Sequence, residues 1–299
     1  MWKVAQASVT GRGHVISNNP CQDKTFYVYK NGVCVIALAD GAGSARCSHF
    51  GAERAVQCIS NILADQFYSF YEQSDPSVVR HELLSRVVEE LELVSKDIGC
   101  ALQELASTLL SVAVCGDKYL IVHLGDGVIG YHDNGILKVA SSPNNGEFCN
   151  STVFTTSSAA EESIRLLKGT LRDGMKGFVL FSDGVESILY KHSKNEISQS
   201  LYPVFDDLAQ LDPSEVEKDL LETLEEIKGH TSDDCSIIVM SRIPDEKDAS
   251  CDIRCIYDCD ASESRRNKYL PAIIIGAAIL CLSVIAVLFA FGFGFGRRM

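Results

Sequence analysis

The sequence has no long basic stretch, no CxxC cysteine pair and no apolar run near its start, and each absence excludes a class of protein. Lys and Arg number 27 against 40 Asp and Glu, which gives a net charge of -13 at pH 7. A chain this acidic does not neutralise the phosphates of DNA or RNA, so we expect no nucleic-acid partner. The opening stretch MWKVAQASVTGRGH lacks the apolar core of a signal peptide, and we expect none.

The cysteines are scattered singly, and several lie inside apolar runs. Isolated cysteines of this kind are typical of reduced core residues in the cytoplasm. Cys251, Cys255 and Cys259 are spaced by four residues, which leaves metal binding or disulfides open. A zinc site needs a fourth ligand in a compact arrangement, and none is evident, so we interpret the three as incidental thiols.

One long uncharged run is present towards the end of the chain. Residues 269–296 contain no charged side chain, whereas about 20 apolar residues suffice to cross a bilayer as a helix. A buried core helix is the weaker alternative, because core helices rarely stay apolar on every face for so long. The sequence therefore predicts a globular domain over 1–243, a polar linker over 244–268, a transmembrane helix over 269–296 and a short tail over 297–299.

The charges that flank this run differ by only one, since Arg265, Arg266 and Lys268 precede it and Arg297 and Arg298 follow it. They barely decide the orientation. The missing signal peptide and the unpaired cysteines place the globular domain in the cytoplasm, held by a single-pass C-terminal anchor.

Short runs rich in Val, Ile and Leu alternate with longer helical patterns. Five runs are predicted strands: Val33–Ala39, Leu109–Cys115, Tyr119–Leu124, Phe178–Phe181 and Ser236–Met240. Apolar residues at helical spacing predict one helix from Ala52 to Phe67 and another from Val79 to Leu91. Asp212 as N-cap and Gly229 as a stop bound a third. This order of elements favours an α+β sandwich with helices outside two sheets.

Four aspartates lie at or next to the ends of separate apolar runs, namely Asp40, Asp126, Asp183 and Asp233. Strands lying side by side would bring these carboxylates together, which is stable only if a hard divalent cation neutralises them. A single Asp-Gly pair is a common turn. Three such turns after strands, together with an acidic pair before a fourth strand, instead predict a magnesium or manganese hydrolase.

The order and spacing of six short motifs resemble a known family. The motifs are Cys21-Gln22-Asp23, Asp40-Gly41-Ala42-Gly43, Ala106-Ser107-Thr108, Gly125-Asp126-Gly127, Ser182-Asp183-Gly184 and Asp233-Asp234-Cys235-Ser236. Over residues 5–241 the set resembles the metal-dependent serine/threonine protein phosphatases of the protein phosphatase 2C type, bacterial branch. The resemblance implies an αββα sandwich of two antiparallel sheets, with two or three Mg²⁺ or Mn²⁺ ions at one edge.

The resemblance also implies roles for single residues. Asp40 would bridge two ions, and the Gly41 carbonyl would ligate one of them. Asp183 and Asp233 would ligate the other ion. Asp23 would act through a water bound to the ions. These aspartates, Asp23, Asp40, Asp183 and Asp233, are the expected catalytic residues.

The resemblance implies roles for two further positions in these motifs. Asp126 would help to hold a third, weaker ion, although Gly127 replaces the serine of the family pattern. In the last motif Asp234 would support the ligand Asp233, and an assignment shifted by one residue stays open.

The chain departs from the family pattern at two places. Residues 17–20 stand where many members carry a phosphate-binding arginine, and Arg12, His14 and Arg46 are the candidates to replace it. For the glycine-containing stretch that holds Arg12 and His14, an ordinary solvated turn is an equal alternative. Ala42 occupies the place of a histidine that protonates the leaving group in eukaryotic relatives, so no general acid is assigned.

Two other features have a structural rather than a catalytic interpretation available. We interpret His123 as a hydrogen-bonded strand histidine rather than a catalytic one. Residues 141–175, which include Ser157, Ser158 and Glu161, form either a variable flap over the active site or plain loop and helix.

The leading hypothesis is a membrane-anchored protein phosphatase that removes phosphate from serine and threonine side chains, using a water activated by two metal ions. Its partners would be phosphorylated proteins and a serine/threonine kinase pathway, and it would counter that kinase. One alternative is a pseudophosphatase that binds phosphoproteins as a scaffold. Another is a narrower phosphatase of the sporulation or stress type that acts on one regulatory phosphoprotein.

Overall fold

Two antiparallel five-stranded sheets make up the centre of the molecule. The computed structural model describes residues 1–143 and 152–243. Strands in these residues are β1 Trp2–Val9, β2 Lys24–Lys30, β3 Val33–Ala39, β4 Leu109–Cys115, β5 Lys118–Leu124, β6 Val128–Asp133, β7 Ile136–Ser141, β8 Arg165–Thr170, β9 Met175–Phe181, β10 Tyr190–Lys191, β11 Glu196–Ile197 and β12 Cys235–Arg242. Sheet I has the order β2-β3-β4-β5-β8, sheet II has the order β1-β12-β9-β6-β7, and β10 and β11 form a separate hairpin.

Helices cover the outer face of each sheet. Those in the described residues are α1 Arg12–Ser17, α2 Ser48–Glu72, α3 Pro76–Ile98, α4 Ala160–Ser163, α5 Glu186–Leu189, α6 Tyr202–Gln210 and α7 Pro213–Ile227. Four short 3₁₀ turns accompany them, at Leu102–Leu105, Asp183–Val185, Gln199–Leu201 and Lys228–His230.

The hydrophobic core has three layers, one between the two sheets and one on the outer face of each sheet. Between the two sheets, side chains such as Ile36 and Leu110 of sheet I meet Phe178 and Ile238 of sheet II. Long helices α2 and α3 pack on the far face of sheet I. Helices α6 and α7 pack on the far face of sheet II. The predicted α+β fold with two antiparallel sheets flanked by helices is therefore confirmed.

Strands buried on both faces are the ones that the sequence predicts most closely. Strands β3 and β4 have the predicted bounds, and β5, β9 and β12 extend beyond them. Helix α7 begins after Asp212, whose side chain accepts a hydrogen bond from Ser214 N–H as an N-cap does. Of the cysteines in the described residues, Cys34, Cys115 and Cys235 are buried core residues as predicted, whereas Cys21, Cys47, Cys58 and Cys100 are half-buried.

The predicted C-terminal segments lie outside the described residues. This applies to the linker over 244–268 with its three cysteines, to the transmembrane helix over 269–296 and to the tail over 297–299. Among the helices that are described, none combines the length and the apolar character that a membrane span requires.

The antiparallel pairing brings the ends that carry the aspartates to one edge. In sheet II, Phe181 at the end of β9 pairs with Val128 at the start of β6 and with Ile237 near the start of β12. In sheet I, Ala39 at the end of β3 pairs with Lys24 at the start of β2. The residues just beyond these positions are Asp183, Asp126, Asp233, Asp40 and Asp23.

A close backbone contact fixes α2 against the turn that leads into β4. A Cβ atom added to Gly51 of α2 would lie 1.9 Å from the carbonyl oxygen of Leu105, which is backbone and cannot swing away. We therefore expect Gly51→Ala to lower the free energy of unfolding by on the order of 2 kcal/mol, as overpacking does. Urea unfolding followed by circular dichroism measures this change.

The matched control is Gly229→Ala, because nothing lies within 4 Å of a Cβ added at Gly229. Its free energy of unfolding should stay within about 0.5 kcal/mol of the wild-type value. Equal stability of the two variants would contradict the tight contact between α2 and Leu105.

Candidate metal centre

Three half-buried aspartates converge at this edge. Asp40 directly follows β3, Asp126 lies in the loop between β5 and β6, and Asp183 opens the 3₁₀ turn after β9. One carboxylate oxygen from each lies within 4.8 Å of the other two. The family resemblance implied that Asp126 helps to hold a third, weaker ion, and the structure places one of its oxygens within 4.8 Å of an oxygen of Asp40 and of Asp183.

Burial and the crowding of like charges raise the pKa values of Asp40 and Asp183. Burial, and after it the charges of Asp23 and Asp183, hold the pKa of Asp40 well above its usual range. Burial, followed by the charges of Asp126 and Asp233, raises the pKa of Asp183 to about 6. Without a counterion, the cluster thus retains protons at pH values where isolated aspartates are ionised.

Asp23 is the most deeply buried of these carboxylates, with 2% of its surface exposed. Neither of its oxygens makes a well-formed hydrogen bond within the described residues. Burial raises the pKa of Asp23 to about 7, and the hydroxyls of Ser182 and Ser236 oppose that rise. A buried, unpaired carboxylate beside Asp40 is the arrangement expected of a group that faces a cation or its water.

Asp233 and Asp234 differ sharply in their surroundings. Asp234 is 1% exposed, and its oxygens accept hydrogen bonds from the N–H groups of Gly11 and Gln22, both at 2.6 Å. Asp233 is exposed, and its charge contributes to the raised pKa values of Asp40 and Asp183. This favours Asp233 as the ligand, with Asp234 as a residue that positions the backbone before β2.

Backbone hydrogen bonds hold Asp40 and Gly41 in place. The Asp40 N–H donates to Thr108 Oγ1 at 2.8 Å, and the Thr108 N–H donates to the Asp40 carbonyl at 2.8 Å. The Gly41 N–H donates to the Gln22 carbonyl at 3.2 Å. The motif around Ser107 and Thr108 therefore acts as a support for Asp40.

The three candidate phosphate ligands are placed differently. Arg12 is exposed, and its Nε donates to the Thr231 carbonyl at 3.0 Å, beside the Asp233 loop. His14 Nδ1 lies 2.9 Å from Asp234 Oδ2, so His14 is engaged with the supporting carboxylate. Arg46 Nε lies 3.3 Å from Glu104 Oε1, and the Arg46 side chain is 75% exposed. Arg12 is thus the candidate best placed to reach a phosphate.

Contacts of Gly11 and Gly13 with the Asp233 loop hold Arg12 beside that loop. A Cβ added to Gly11 would lie 2.3 Å from the carbonyl carbon of Asp233. The Gly13 N–H donates to the Ser232 carbonyl at 2.8 Å. The start of α1 is therefore pressed onto the loop before β12, which makes this stretch part of the site rather than a free solvated turn.

Within residues 141–175, Thr152 and Phe154 lie against the site. Thr152 donates its hydroxyl to Asp126 Oδ2. Phe154 packs on a small apolar cluster that contains Ala42, Ala45 and Ala106. Ala42, which occupies the place of the eukaryotic histidine, therefore makes an apolar contact. A flap over the site stays a prediction for residues 141–175 as a whole.

His123 is a fully buried strand histidine, as interpreted from the sequence. Its Nδ1 lies 2.7 Å from Ser141 Oγ and its Nε2 lies 3.1 Å from the Gly125 carbonyl. Burial, with the nearby charge of Arg165 as the second cause, lowers the pKa of His123 to about 3, so the ring is neutral at physiological pH. His123 thereby ties the loop that carries Asp126 to β7.

Sequence reasoning missed Thr152 and Glu186. Glu186 begins α5, one turn after Asp183, and its charge adds to the raised pKa of Asp183. His192 Nε2 lies 2.9 Å from Glu186 Oε1. A carboxylate one helical turn after a metal-site aspartate was a readable signal for Glu186, whereas Thr152 lies in a segment with no motif.

The donor set fits a hard divalent cation. Carboxylate oxygens are the ligands that Mg²⁺ and Mn²⁺ prefer. An oxygen of Asp183 and both oxygens of Asp23 are buried and make no well-formed hydrogen bond in the described part of the chain. Asp40, Asp126 and Asp183, with Asp233 alongside, are the residues that would hold the ions.

The raised pKa of Asp23 makes the stability of the metal-free protein depend on pH. Between about pH 4 and pH 7 the folded state keeps a proton on Asp23 that the unfolded chain has released, so stability falls as pH rises through this range. Asp23→Asn removes this effect. We expect the variant to gain on the order of 2–4 kcal/mol over wild type at about pH 8 and no gain near about pH 4.

The measurement is urea unfolding in EDTA at several pH values, with the exposed Asp97→Asn as control. The lowered pKa of His123 acts in the opposite sense over the same range, and it cancels in the difference between variant and wild type. A difference that does not change with pH would contradict the burial of an ionised Asp23.

Comparison with known proteins agrees with this geometry. The family model described as Protein phosphatase 2C matches residues 10–225. Serine/threonine-protein phosphatase 3 of Escherichia coli (strain K12) is 24% identical over 216 residues, which cover 70% of this chain and 83% of that protein.

Solved structures share the fold. A serine/threonine phosphatase of S. agalactiae superposes with a TM-score of 0.56 at 18% identity, over 82% of this chain and 100% of the other. The catalytic domain of the serine threonine protein phosphatase PstP, in complex with two manganese ions, superposes with a TM-score of 0.53 at 15% identity, again over 82% and 100%. Since the family model covers most of the described domain, the chain belongs to the protein phosphatase 2C family.

Proposed function

We propose that the chain is a membrane-anchored, Mg²⁺- or Mn²⁺-dependent phosphatase that hydrolyses phosphoserine and phosphothreonine in proteins and counters a serine/threonine kinase. Family membership makes it a protein serine/threonine phosphatase of the metal-dependent type. The observation that carries the proposal is the convergence of Asp40, Asp126 and Asp183 within 4.8 Å at a sheet edge.

Different residues of the site have different roles in the reaction. Divalent ions bound at the cluster would lower the pKa of a water molecule and offset the negative charge of the phosphate. Asp40, Asp183 and Asp233 provide the negative charge that concentrates cations at this edge. Asp23, buried beside Asp40, would accept a hydrogen bond or a proton from water in the site.

The residues around the aspartate cluster would orient the substrate. Arg12, held beside the Asp233 loop by Thr231, can offer its guanidinium to a phosphate oxygen. Asp234 fixes Gly11 and Gln22, and therefore both the segment that carries Arg12 and the segment that carries Asp23. No cysteine is needed as a nucleophile, because the reaction forms no covalent enzyme intermediate.

The kinase partner follows from the chemistry of the substrate. A protein phosphomonoester at serine or threonine is the product of a kinase, so an enzyme that removes it opposes that kinase. Which phosphoprotein is cleaved depends on surfaces outside the aspartate cluster.

The proposed anchor fits the position at which the described chain ends. Ile243 follows β12, and its N–H donates to the Met1 carbonyl at 2.9 Å. Cys235, at the other end of β12, adjoins the metal centre, and eight strand residues span about 25 Å. The uncharged residues 269–296 would therefore attach to the domain at the end remote from the aspartates, which leaves the site accessible to proteins in the cytoplasm.

Loss of a cluster aspartate should abolish activity. We expect Asp40→Asn and Asp183→Asn each to lower kcat/KM for a phosphothreonine peptide with Mn²⁺ by at least about 100-fold, because each removes charge from the cation site. Phosphate release is the assay, with EDTA as the metal-free reference. The exposed Asp97→Asn should keep wild-type activity.

Absence of turnover from folded wild type that binds Mn²⁺ would instead support the alternative of a phosphoprotein-binding pseudophosphatase. Full activity in Asp40→Asn would place the chemistry elsewhere in the chain.

The anchor is tested by sedimentation with lipid vesicles. The full chain should remain with vesicles after a carbonate wash, and a chain that ends at Ile243 should stay in the supernatant. As a control, Ile279→Asp with Leu282→Asp should release the full chain, because each charge near the middle of a span costs about 3 kcal/mol. Equal partitioning of the three proteins would refute the anchor.

A further inference from the structure

A groove lies between the edge of sheet II and the β10–β11 hairpin. Its volume is about 1340 Å³, and its walls include the first residues of β7, part of α5 and the hairpin. Leu137, Leu189 and Ile197 form a buried apolar floor. The roles derived above for the metal centre use none of these residues.

Strand β7 is the outer strand of sheet II, since it pairs only with β6 in that sheet. The Leu137 N–H donates to Gln199 Oε1 at 2.9 Å, and the Leu137 carbonyl accepts from Gln199 Nε2 at 3.2 Å. A side-chain amide thus pairs with Leu137 in the way that a peptide group of an adjacent strand would. This shows that the N–H and C=O of Leu137 point into the groove.

Val139 lies two residues further along β7, so its N–H and C=O point in the same direction as those of Leu137. Val139 also lines the groove. No partner for these two backbone groups occurs in residues 1–143 or 152–243. Such an open edge is the feature to which an extended peptide adds as a further strand.

The groove lies near the metal centre in the chain and through one ion pair. The chain runs from Asp183 through its 3₁₀ turn into α5 and then into β10, so the groove wall begins a few residues after a cluster aspartate. His192, which lines the groove, lies 2.9 Å from Glu186, whose charge acts on Asp183. Strand β7 also runs towards the cluster, since it ends at Ser141, which contacts the His123 that holds the Asp126 loop.

The charge of the groove differs from that of the whole chain. Among its described lining residues, Lys138 and Lys191 are the lysines and Glu196 is the one carboxylate. Lys194 stands at the tip of the same hairpin and is exposed. Lys138 Nζ is paired with Asp133 Oδ2 at 2.8 Å, so Lys191 and Lys194 are the lysines that the groove side offers against Glu196. In a chain with a net charge of -13, these two lysines favour a segment that carries negative charge.

We propose that this groove binds the polypeptide next to the phosphorylated residue of the substrate, as an extended acidic strand paired with the β7 edge at Val139. The inference rests on the proposed phosphatase function and names its substrate class, which is a phosphoprotein with an extended acidic segment beside the phosphoserine or phosphothreonine. Because Gln199 already pairs with Leu137, the edge open to substrate comprises residues 138–141, which span about 13 Å and suffice for about three residues of substrate.

The first experiment compares substrates that do and do not reach the groove. The full chain in detergent with Mn²⁺ is assayed on para-nitrophenyl phosphate and on an acidic phosphothreonine peptide of about 15 residues, which is longer than the groove. The variant K191E/K194E should lower kcat/KM for the peptide about tenfold, mainly through KM, and should leave the aryl phosphate unchanged. K96E/K218E, an equal charge change at exposed sites away from the groove, should alter neither value.

The second experiment needs no change in the protein. Fluorescence anisotropy measures binding of the same labelled peptide to the wild-type full chain. Methyl groups on alternate backbone nitrogens should weaken binding about tenfold when they face β7 and should have little effect on the other alternate set, because only one edge of an added strand pairs.

These results separate the groove from the proposed activity. Unchanged peptide kinetics in K191E/K194E, with both methylated peptides binding normally, would overturn the groove and leave the phosphatase intact. No Mn²⁺-dependent turnover of either substrate would overturn the phosphatase, while anisotropy would still decide whether the groove binds peptide. Light scattering that shows a wild-type dimer and a K191E/K194E monomer would assign the groove to a second copy of the chain and would also overturn the proposal.

Discussion

Repulsion among buried carboxylates is the constraint on which the rest of the structure depends. Asp40, Asp126 and Asp183 share a space less than 5 Å across, and Asp23 lies buried beside them without a well-formed hydrogen bond in the described chain. Such a group is unfavourable unless protons or cations neutralise it. In the absence of metal, burial and after it the repulsion between these carboxylates raise the pKa values of Asp23, Asp40 and Asp183.

The fold supplies the rigidity that keeps these side chains together. Two packed sheets end at one edge, and hydrogen bonds such as those of Thr108 to Asp40 and of Asp234 to Gly11 lock the loops that follow. His123 does the same for the Asp126 loop through Gly125. The groove beside β7, proposed to bind substrate, shares this frame, because its α5 wall follows Asp183 in the chain.

The sequence predicted the elements whose signal is local. Fully buried strands such as Val33–Ala39 are continuous apolar runs, and helix α7 carries its own cap at Asp212. Strands β1, β2, β6, β7 and β8 were not predicted, because several are edge strands or half exposed and their pattern is weak. The aspartates were predicted from turns after strands. The roles of Thr152 and Gln199 depend on contacts with distant segments, which no local pattern contains, whereas Glu186 lies one helical turn after Asp183 and was readable from the sequence.

The most direct test of the central claim is calorimetric titration of Mn²⁺ into the metal-free protein at about pH 6.5, in two buffers with different ionisation enthalpies. A cluster that holds protons must release them when a cation binds. We predict tight Mn²⁺ binding with net proton release in wild type, and weak binding with less proton release in Asp40→Asn. Tight binding that releases no protons and is unchanged in Asp40→Asn would contradict a cation site built from these aspartates.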